Sequence, residues 1–337
     1  MRVAGIDCGT NTVRLLISEV VPGAKNILGG PVLQDVLRTM EVVRLGAGVD
    51  QTGKFNETAL ARTLQAVEKY AQLCREAGVT SIRFAATSAT RDAQNRDIFI
   101  DGVDALLGIA PQVISGDQEA LISFTGAVCT LGKGNAANLE LSSPMLAVDL
   151  GGGSTELALG TADGELLAAY SMNVGSVRMH ERHLGTGKAR AENIVAARKD
   201  IRDFLDQAEA HVDLGAARAL IGLAGTVTSI TAKWLDLREY DPQQIHGTKM
   251  SVADVNHTCQ WFIDSDLEER LALGFMHPGR ADVINAGALV WQEVVNRIAQ
   301  RTAEAGHPVQ TVVTSEHDIL DGLALWAANE PQQPNFR

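Results

Sequence analysis

The chain has 337 residues, 45% of them hydrophobic and 21% charged, which is the balance of a folded globular protein and not of a disordered one. Lys plus Arg number 29 against 41 Asp plus Glu, and the formal net charge of −12 argues against nucleic acid or an anionic membrane as a non-specific partner. No run approaches the ~18 apolar residues of a membrane span, and the start, Met1-Arg2-Val3-Ala4-Gly5-Ile6-Asp7, meets an acid too early for a signal peptide. A cytoplasmic protein without a membrane segment is expected. Cys8, Cys74, Cys129 and Cys259 are far apart and form no CxxC pair, so neither a disulfide framework nor a cysteine zinc site is expected.

At about 150 residues per domain, the length suggests two domains. In chain order, Arg2–Ile6 is a short apolar strand running into Asp7-Cys8-Gly9-Thr10-Asn11-Thr12. Val13, Leu15 and Ile17 alternate as a second strand, and Val32–Leu45 is a third. Asn56 is a good N-cap for a helix with Leu60, Leu64, Val67, Ala71 and Cys74 on one face, stopped by Gly78. A strand over Ser81–Ala86, a helix over Arg91–Leu107, a strand over Gln112–Ser115 and a helix over Gln118–Leu131 complete a βββαβαβα order. Thr130–Pro144, rich in Gly, Asn and Ser, reads as a linker, with the domain boundary between 138 and 139.

The order then restarts. Met145–Val148 is a strand, followed by Asp149-Leu150-Gly151-Gly152-Gly153-Ser154-Thr155. Glu156–Gly160 and Leu166–Asn173 are two more strands, helical patterns fill Arg178–Ala210, and Ala219–Ala224 is a strand before Gly225-Thr226. A mostly helical insertion over 238–300 precedes a strand at Gln310–Thr314 and a last helix, His317–Ala328, which can pack back on the first domain. The tail from Pro331 is expected to fray. The Asp-x-Gly turns at 7 and 149 lie 142 residues apart, each between a first and a second strand. Tandem βββαβαβα domains, 1–138 and 139–330, describe an α/β protein of the actin-like (ribonuclease-H-like) fold, with its ligand in an interdomain cleft.

Each turn has a chemical use. A Gly-containing hairpin aims successive N–H groups and hydroxyls at one point, a concavity that accepts phosphate oxygens. The candidates are Gly9, Thr10, Asn11 and Thr12, then Gly151, Gly152, Gly153, Ser154 and Thr155. Asp7 and Asp149 at the strand ends can hold hydrated Mg²⁺. One such turn alone is more often an ordinary hairpin with a capping Asp; two at equivalent positions favour phosphate plus metal. Gly225-Thr226 is a third Gly-rich turn. No Walker A, GxGxxG or GxSxG motif is present. Glu119 falls in the first turn of a helix, either as a helix-dipole acid or as a general base toward water. Arg91 stands at a strand-to-helix junction, for a phosphate or for a surface acid. His180 and His183, spaced i, i+3, read as solvated or structural, and Arg280 with Asp282 as a capping pair or cleft residues.

Several motifs together resemble the Ppx/GppA phosphatase family, the exopolyphosphatases and guanosine pentaphosphate phosphohydrolases. They are Gly5-Ile6-Asp7-x-Gly9-Thr10-Asn11-Thr12, Ala86-Thr87-Ser88-Ala89-x-Arg91, Ile114-Ser115-Gly116-x-x-Glu119-Ala120 and Asp149-x-Gly151-Gly152-Gly153-Ser154-Thr155-Glu156. Gly175-x-Val177-Arg178, Gly225-Thr226, Arg280-Ala281-Asp282 and Ser315-Glu316-x-x-x-x-Asp321-Gly322 continue the match in order. The resemblance implies catalysis by Glu119 and Arg91, a divalent cation (usually Mg²⁺) held by Asp7, Asp149 and Glu119, and phosphate on the two loops. It implies a substrate of inorganic polyphosphate, or alternatively guanosine pentaphosphate, and a homodimer. The C-terminal helical region of larger members is missing, which with the acidity suggests short chains. An ATP-dependent kinase of the same superfamily and a silent scaffold are the competing readings.

Overall fold

The structure is a computed structural model that describes residues 1–130, 142–185 and 188–336. It divides into two units, Met1–Thr130 with Asp318–Arg337, and Leu131–His317. The boundary expected at 138/139 lies outside the described residues, as does most of the expected linker.

The first unit holds a sheet of β1 (Arg2–Cys8), β2 (Thr12–Lys25), β3 (Pro31–Val42), β4 (Ser81–Ala86) and β5 (Gln112–Val113). Its order is β3-β2-β1-β4-β5, with β1 to β3 an antiparallel meander and β4 and β5 parallel to β1. The helices are α1 (Val49–Thr52), α2 (Glu57–Glu76), α3 (Ser88–Asp92), α4 (Arg96–Leu107) and α5 (Gly116–Val128). β4 is buried along its whole length, as expected of a strand flanked on both sides in a partly parallel sheet. On α2, Leu60, Val67, Ala71 and Cys74 enter the core, and the Asn56 side chain accepts from the Thr58 and Ala59 N–H groups.

Two helices differ from expectation for local reasons. The helix foreseen over 91–107 is two, α3 and α4, because Ala93 is extended and the Asn95 side chain is tied to Phe55, accepting from its N–H at 2.8 Å and donating to its carbonyl at 3.2 Å. That break leaves Arg91 on a one-turn helix beside the strand ends. The strand foreseen over 112–115 stops at Val113, since Ser115 is a helix cap: its hydroxyl accepts from Gln118 N–H, while its own N–H donates to the Gln118 side chain.

The second sheet comprises β6 (Met145–Leu150), β7 (Thr155–Gly160), β8 (Leu166–Met172), β9 (Ala219–Leu223), β10 (Lys249–Ser251) and β11 (Thr311–Thr314), in the order β10-β11-β9-β6-β7-β8. Without the three-residue β10, this is the first sheet strand for strand, third-second-first-fourth-fifth. The repeat read from the two Asp-x-Gly turns is thus a repeat of topology. Its helices are α6 (Ser176–Met179), continuing as a π turn over His180–Leu184, then α7 (Ala191–Ala208), α8 (Ala224–Trp234), α9 (Pro242–Ile245), α10 (Val252–Asp264), α11 (Leu267–Leu271), α12 (Pro278–Ala281) and α13 (Ile284–Glu304). The insertion expected over 238–300 corresponds to α9 to α13 with β10. α13 is buried along most of its length, and its buried Glu293 is bound by Arg198 and Arg202 of α7.

The C-terminal helix, Ile319–Asn329, belongs to the first unit. Leu320 and Ala324 pack with Val3 and Leu16, and Ile319 and Leu323 with Ala85 and Ile114. The tail beyond it does not fray. Its Gln332 N–H donates to Ser81 Oγ at 2.9 Å, the Gln332 carbonyl accepts from Ile82 N–H at 3.0 Å, and Asn335 N–H donates to the Leu107 carbonyl at 3.1 Å. A strand start and a helix end leave such groups needing partners, and the tail supplies them. No helix among the described residues is long and apolar enough to cross a membrane, and all four cysteines are free and buried.

Candidate active site

Both units carry an aspartate one residue before the end of their first strand and turn back through the same geometry. Gly9 N–H donates to the Thr12 carbonyl and Gly151 N–H to the Ser154 carbonyl, each at 3.0 Å. In both, the stretch after the third strand wraps the turn. Val43 and Arg44 N–H donate to the Asn11 carbonyl and Gly46 N–H to the Thr10 carbonyl. Correspondingly, Ser176 N–H donates to the Gly151 carbonyl, Val177 and Arg178 N–H to the Gly152 carbonyl, and Arg178 Nε to the Gly153 carbonyl at 2.7 Å. A trans peptide points each N–H away from the carbonyl before it. The N–H groups of Asn11 and Thr12, and those of Gly152, Gly153 and Ser154, are therefore turned away from the wrap. Successive amides facing one way are what an anion-binding concavity requires.

Gly175-x-Val177-Arg178, a motif without a role of its own in the sequence, supplies this wrap. Gly175 is required by close approach: a Cβ there would lie 2.5 Å from the carbonyl carbon and oxygen of Gly152. The Thr155 side chain belongs to the same brace, fully buried with its hydroxyl donating to the Val174 carbonyl at 2.6 Å. Thr10 is buried too, its hydroxyl 3.4 Å from that of Ser88.

The candidate catalytic residues gather at the carboxyl ends of three adjacent parallel strands, the usual place for a site in such sheets. Asp7 is the last residue but one of β1, Thr87 to Arg91 follow β4, and Ile114 to Glu119 follow β5. Glu119 is only 8% exposed; its Oε2 accepts from Arg91 Nη1 at 2.6 Å, and the same nitrogen donates to the Ile114 carbonyl at 3.1 Å. Burial raises the Glu119 carboxyl to about 7, against opposing pulls from the Arg91 charge and hydrogen bond and from Thr87; the nearby Asp7 charge adds to the rise. Asp7, 5% exposed, is likewise raised above its ordinary value by burial, opposed by Arg14 and reinforced by Asp318. Arg91, expected at a phosphate, is paired here with the candidate base.

Register exposes two residues that sequence reading left without a role. Arg14 lies directly across the hairpin from Asp7, and Glu156 directly across from Asp149. Residues so opposed share a face of the sheet. Arg14 Nε and Nη2 contact Asp7 Oδ2 at 2.9 and 2.8 Å. Glu156, 2% exposed, accepts from Ser171 Oγ at 2.7 Å. Four residues separate Cys8 from its partner Val13, which makes residue 14 face residue 7, and four separate Leu150 from Thr155, which does the same for 156 and 149. In the second unit Arg280 Nη1 donates to Ser229 Oγ at 2.9 Å, and its guanidinium lies so close over Gly225 that a Cβ there would sit 2.3 Å from Nη2. Ala224, with φ of 68°, makes the left-handed turn into α8 at this point. His183 Nε2 lies 2.8 Å from Asp200, which also accepts from Arg182 at 2.9 Å, a structural cluster on α7.

Two sheets of one strand order, each with an Asp-x-Gly turn after its first strand, are the actin-like α/β architecture. The profile of the Ppx/GppA phosphatase family matches residues 16–309, and the chain belongs to that family. It is 43% identical over 329 residues to Exopolyphosphatase 2 of Mycobacterium tuberculosis, an alignment covering 96% of this chain and 98% of that one. Among solved structures it is similar to an exopolyphosphatase-like protein, with a TM-score of 0.87 and 39% identity over 96% of this chain and 98% of that one. A Ppx/GppA family member from Aquifex aeolicus shares the fold at a TM-score of 0.75 and 24% identity, over 98% of each chain.

Proposed function

We propose that this protein is an exopolyphosphatase, hydrolysing the terminal phosphoryl group of inorganic polyphosphate with the help of a divalent cation. The observation that carries the reading is Glu119: a buried carboxyl at the strand ends, aligned by Arg91 and raised to about 7. A base is most effective when its pKa lies near the working pH. In the reaction a water oxygen bonds to the terminal phosphorus, the bridging P–O bond breaks, and the shortened chain leaves as an anion. Glu119 takes the water's proton. The protein does no covalent work, so positioning and charge dominate. Phosphate oxygens are assigned to the turned-out amides of each unit by itself, Asn11 and Thr12 in the first and Gly152, Gly153 and Ser154 in the second.

The residues present fit Mg²⁺. Among the described residues no group of three or more His, Cys, Asp and Glu gathers as a metal cage. Mg²⁺ does not ask for one, since it takes one or two carboxylates and fills its shell with water and phosphate oxygens. Asp7, Asp149 and Glu156 are buried hard-oxygen donors near the ends of their strands, the donor type Mg²⁺ takes. When bound, the cation would neutralise charge on the phosphoryl oxygens. The likeness to Exopolyphosphatase 2 over nearly the whole of both chains supports polyphosphate as the substrate.

One assay tests the reading: phosphate release, with and without Mg²⁺, from short polyphosphate, long polyphosphate, guanosine pentaphosphate and ATP supplied separately. Release from polyphosphate, fastest on short chains, is expected. Preference for guanosine pentaphosphate would move the assignment to the other activity of the family, and release from none would remove it.

A further inference from the structure

Asp7 and Arg14 form a pair whose charges cancel, and a cancelled carboxylate is a poor ligand for a cation. Arg14 is not, however, left to Asp7 alone. Its Nη1 donates to Asp318 Oδ2 at 2.5 Å, while Nε and Nη2 serve Asp7 at 2.9 and 2.8 Å. Asp318 is 3% exposed and is the first residue of the segment that returns to the first unit. One guanidinium thus stands between two buried carboxylates, and the three groups carry a net charge of about −1 when ionised. Asp318 has a second duty, as N-cap of the C-terminal helix: its Oδ1 accepts from Leu320 N–H at 3.0 Å, and its own N–H donates to Asp321 Oδ2 at 3.1 Å. Asp321 is in turn gripped by Arg38, at 2.6 and 3.2 Å. Arg38 therefore anchors the same helix start without touching Asp7.

We infer that Asp318 is a positioning residue for the cation site: by sharing Arg14, it leaves Asp7 with anionic character to offer a divalent cation. The inference rests on the proposed role of Asp7. It makes the start of the C-terminal helix part of the catalytic electrostatics, a duty separate from helix capping.

The capping and charge duties separate cleanly in Asp318→Asn. Asparagine caps a helix about as well as aspartate, so the Leu320 hydrogen bond survives while the charge facing Arg14 is lost. The Arg14 charge then bears more heavily on Asp7. The half-saturating Mg²⁺ concentration for phosphate release is expected to rise about tenfold, as removal of one nearby charge in a partly buried site should do. KM for polyphosphate at saturating Mg²⁺ and Tm without Mg²⁺ should stay close to wild type. A readout independent of turnover is the thermal shift given by Mg²⁺ alone, without substrate, whose saturation should move by the same factor. Arg38→Gln is the control: it loosens the same helix start and should lower Tm without moving the Mg²⁺ curve. The inference is overturned if Asp318→Asn leaves both Mg²⁺ curves in place, or if Arg38→Gln shifts them equally. Asp7→Asn examines the underlying reading separately: full activity with an unchanged Mg²⁺ curve there would remove Asp7 from the site, and the inference with it.

Discussion

The two Asp-x-Gly turns have the same backbone and opposite chemistry. Each closes with a Gly N–H on a carbonyl three residues later, and each is wrapped by the stretch after the third strand. Yet the residue facing the aspartate is Arg14 in one and Glu156 in the other. The first turn has a cation of the protein's own and, beside it, an acid raised to about 7. The second has two acids on one face. A duplicated frame thus differs in charge: the first turn pairs its aspartate with an arginine and has the raised Glu119 beside it, while the second sets two acids across one hairpin. Topology made the two sites equivalent, and one side chain per hairpin made them different.

If that difference governs the chemistry, the largest effect comes from the base. Glu119→Gln keeps the shape and the Arg91 contact but cannot take a proton, and kcat should fall about 10²- to 10⁴-fold with KM little changed. Near-normal turnover would break the comparison at its first half. The second half is tested by Asp149→Asn and Glu156→Gln, each read as a Mg²⁺ saturation curve. The half-saturating concentration should rise by roughly 100-fold for Asp149→Asn, because a full ligand charge is lost. It should rise more for either variant than for Asp7→Asn, whose charge is partly offset by the Arg14 it shares with Asp318. The reverse ranking would place the cation in the first unit and invert the comparison.

A smaller effect separates the two wraps. A Cβ on Gly175 would meet backbone atoms of Gly152 and Gly153 at 2.5 to 2.7 Å, whereas one on Gly46 would meet first the Thr10 methyl, at 2.4 Å. Backbone cannot yield as a side-chain end can. Gly175→Ala should therefore displace the second loop and cost about 1–3 kcal/mol, with a fall in kcat/KM to match. Gly46→Ala should cost less, provided the Thr10 methyl can move. Equal losses in both would mean that the two loops are held with the same stiffness.

Most of the fold was legible because it was written locally. The alternation of Val13, Leu15 and Ile17, the Asn56 cap and the two Asp-x-Gly turns each specify structure within a few residues. The candidate base was legible too, through the Ile114-Ser115-Gly116 lead into Glu119. What escaped was non-local. Arg14 to Asp318 spans most of the chain, and nothing near either residue announces the other. The packed tail escaped for the same reason, since polar, Pro-containing residues 331–336 look unstructured until Ser81, Ile82 and Leu107 are seen to need partners. The split of α3 from α4 turned on a single side chain, Asn95, reaching back to Phe55.

The mildest test is pH, and it examines the first turn alone. The Glu119 carboxyl is raised from an ordinary 4.5 to about 7 by burial. Below that value the folded protein holds it protonated and unable to accept a proton, so kcat/KM should fall on the acid side with a midpoint near 7, roughly tenfold per pH unit well below it. Stability runs the other way. A carboxyl whose folded value exceeds its unfolded one favours the folded state below about 4.5, and that contribution is lost as pH rises through 7. Between those limits the protein should therefore gain activity as it gives up stability, the trade expected of a buried base. Arg91 sharpens the point, since its charge and hydrogen bond hold Glu119 down. In Arg91→Gln the acid limb should move to higher pH; in Glu119→Gln the limb should vanish from the residual rate. An acid limb that stays near 7 in both variants would assign the titration to another group and leave the first turn without its base.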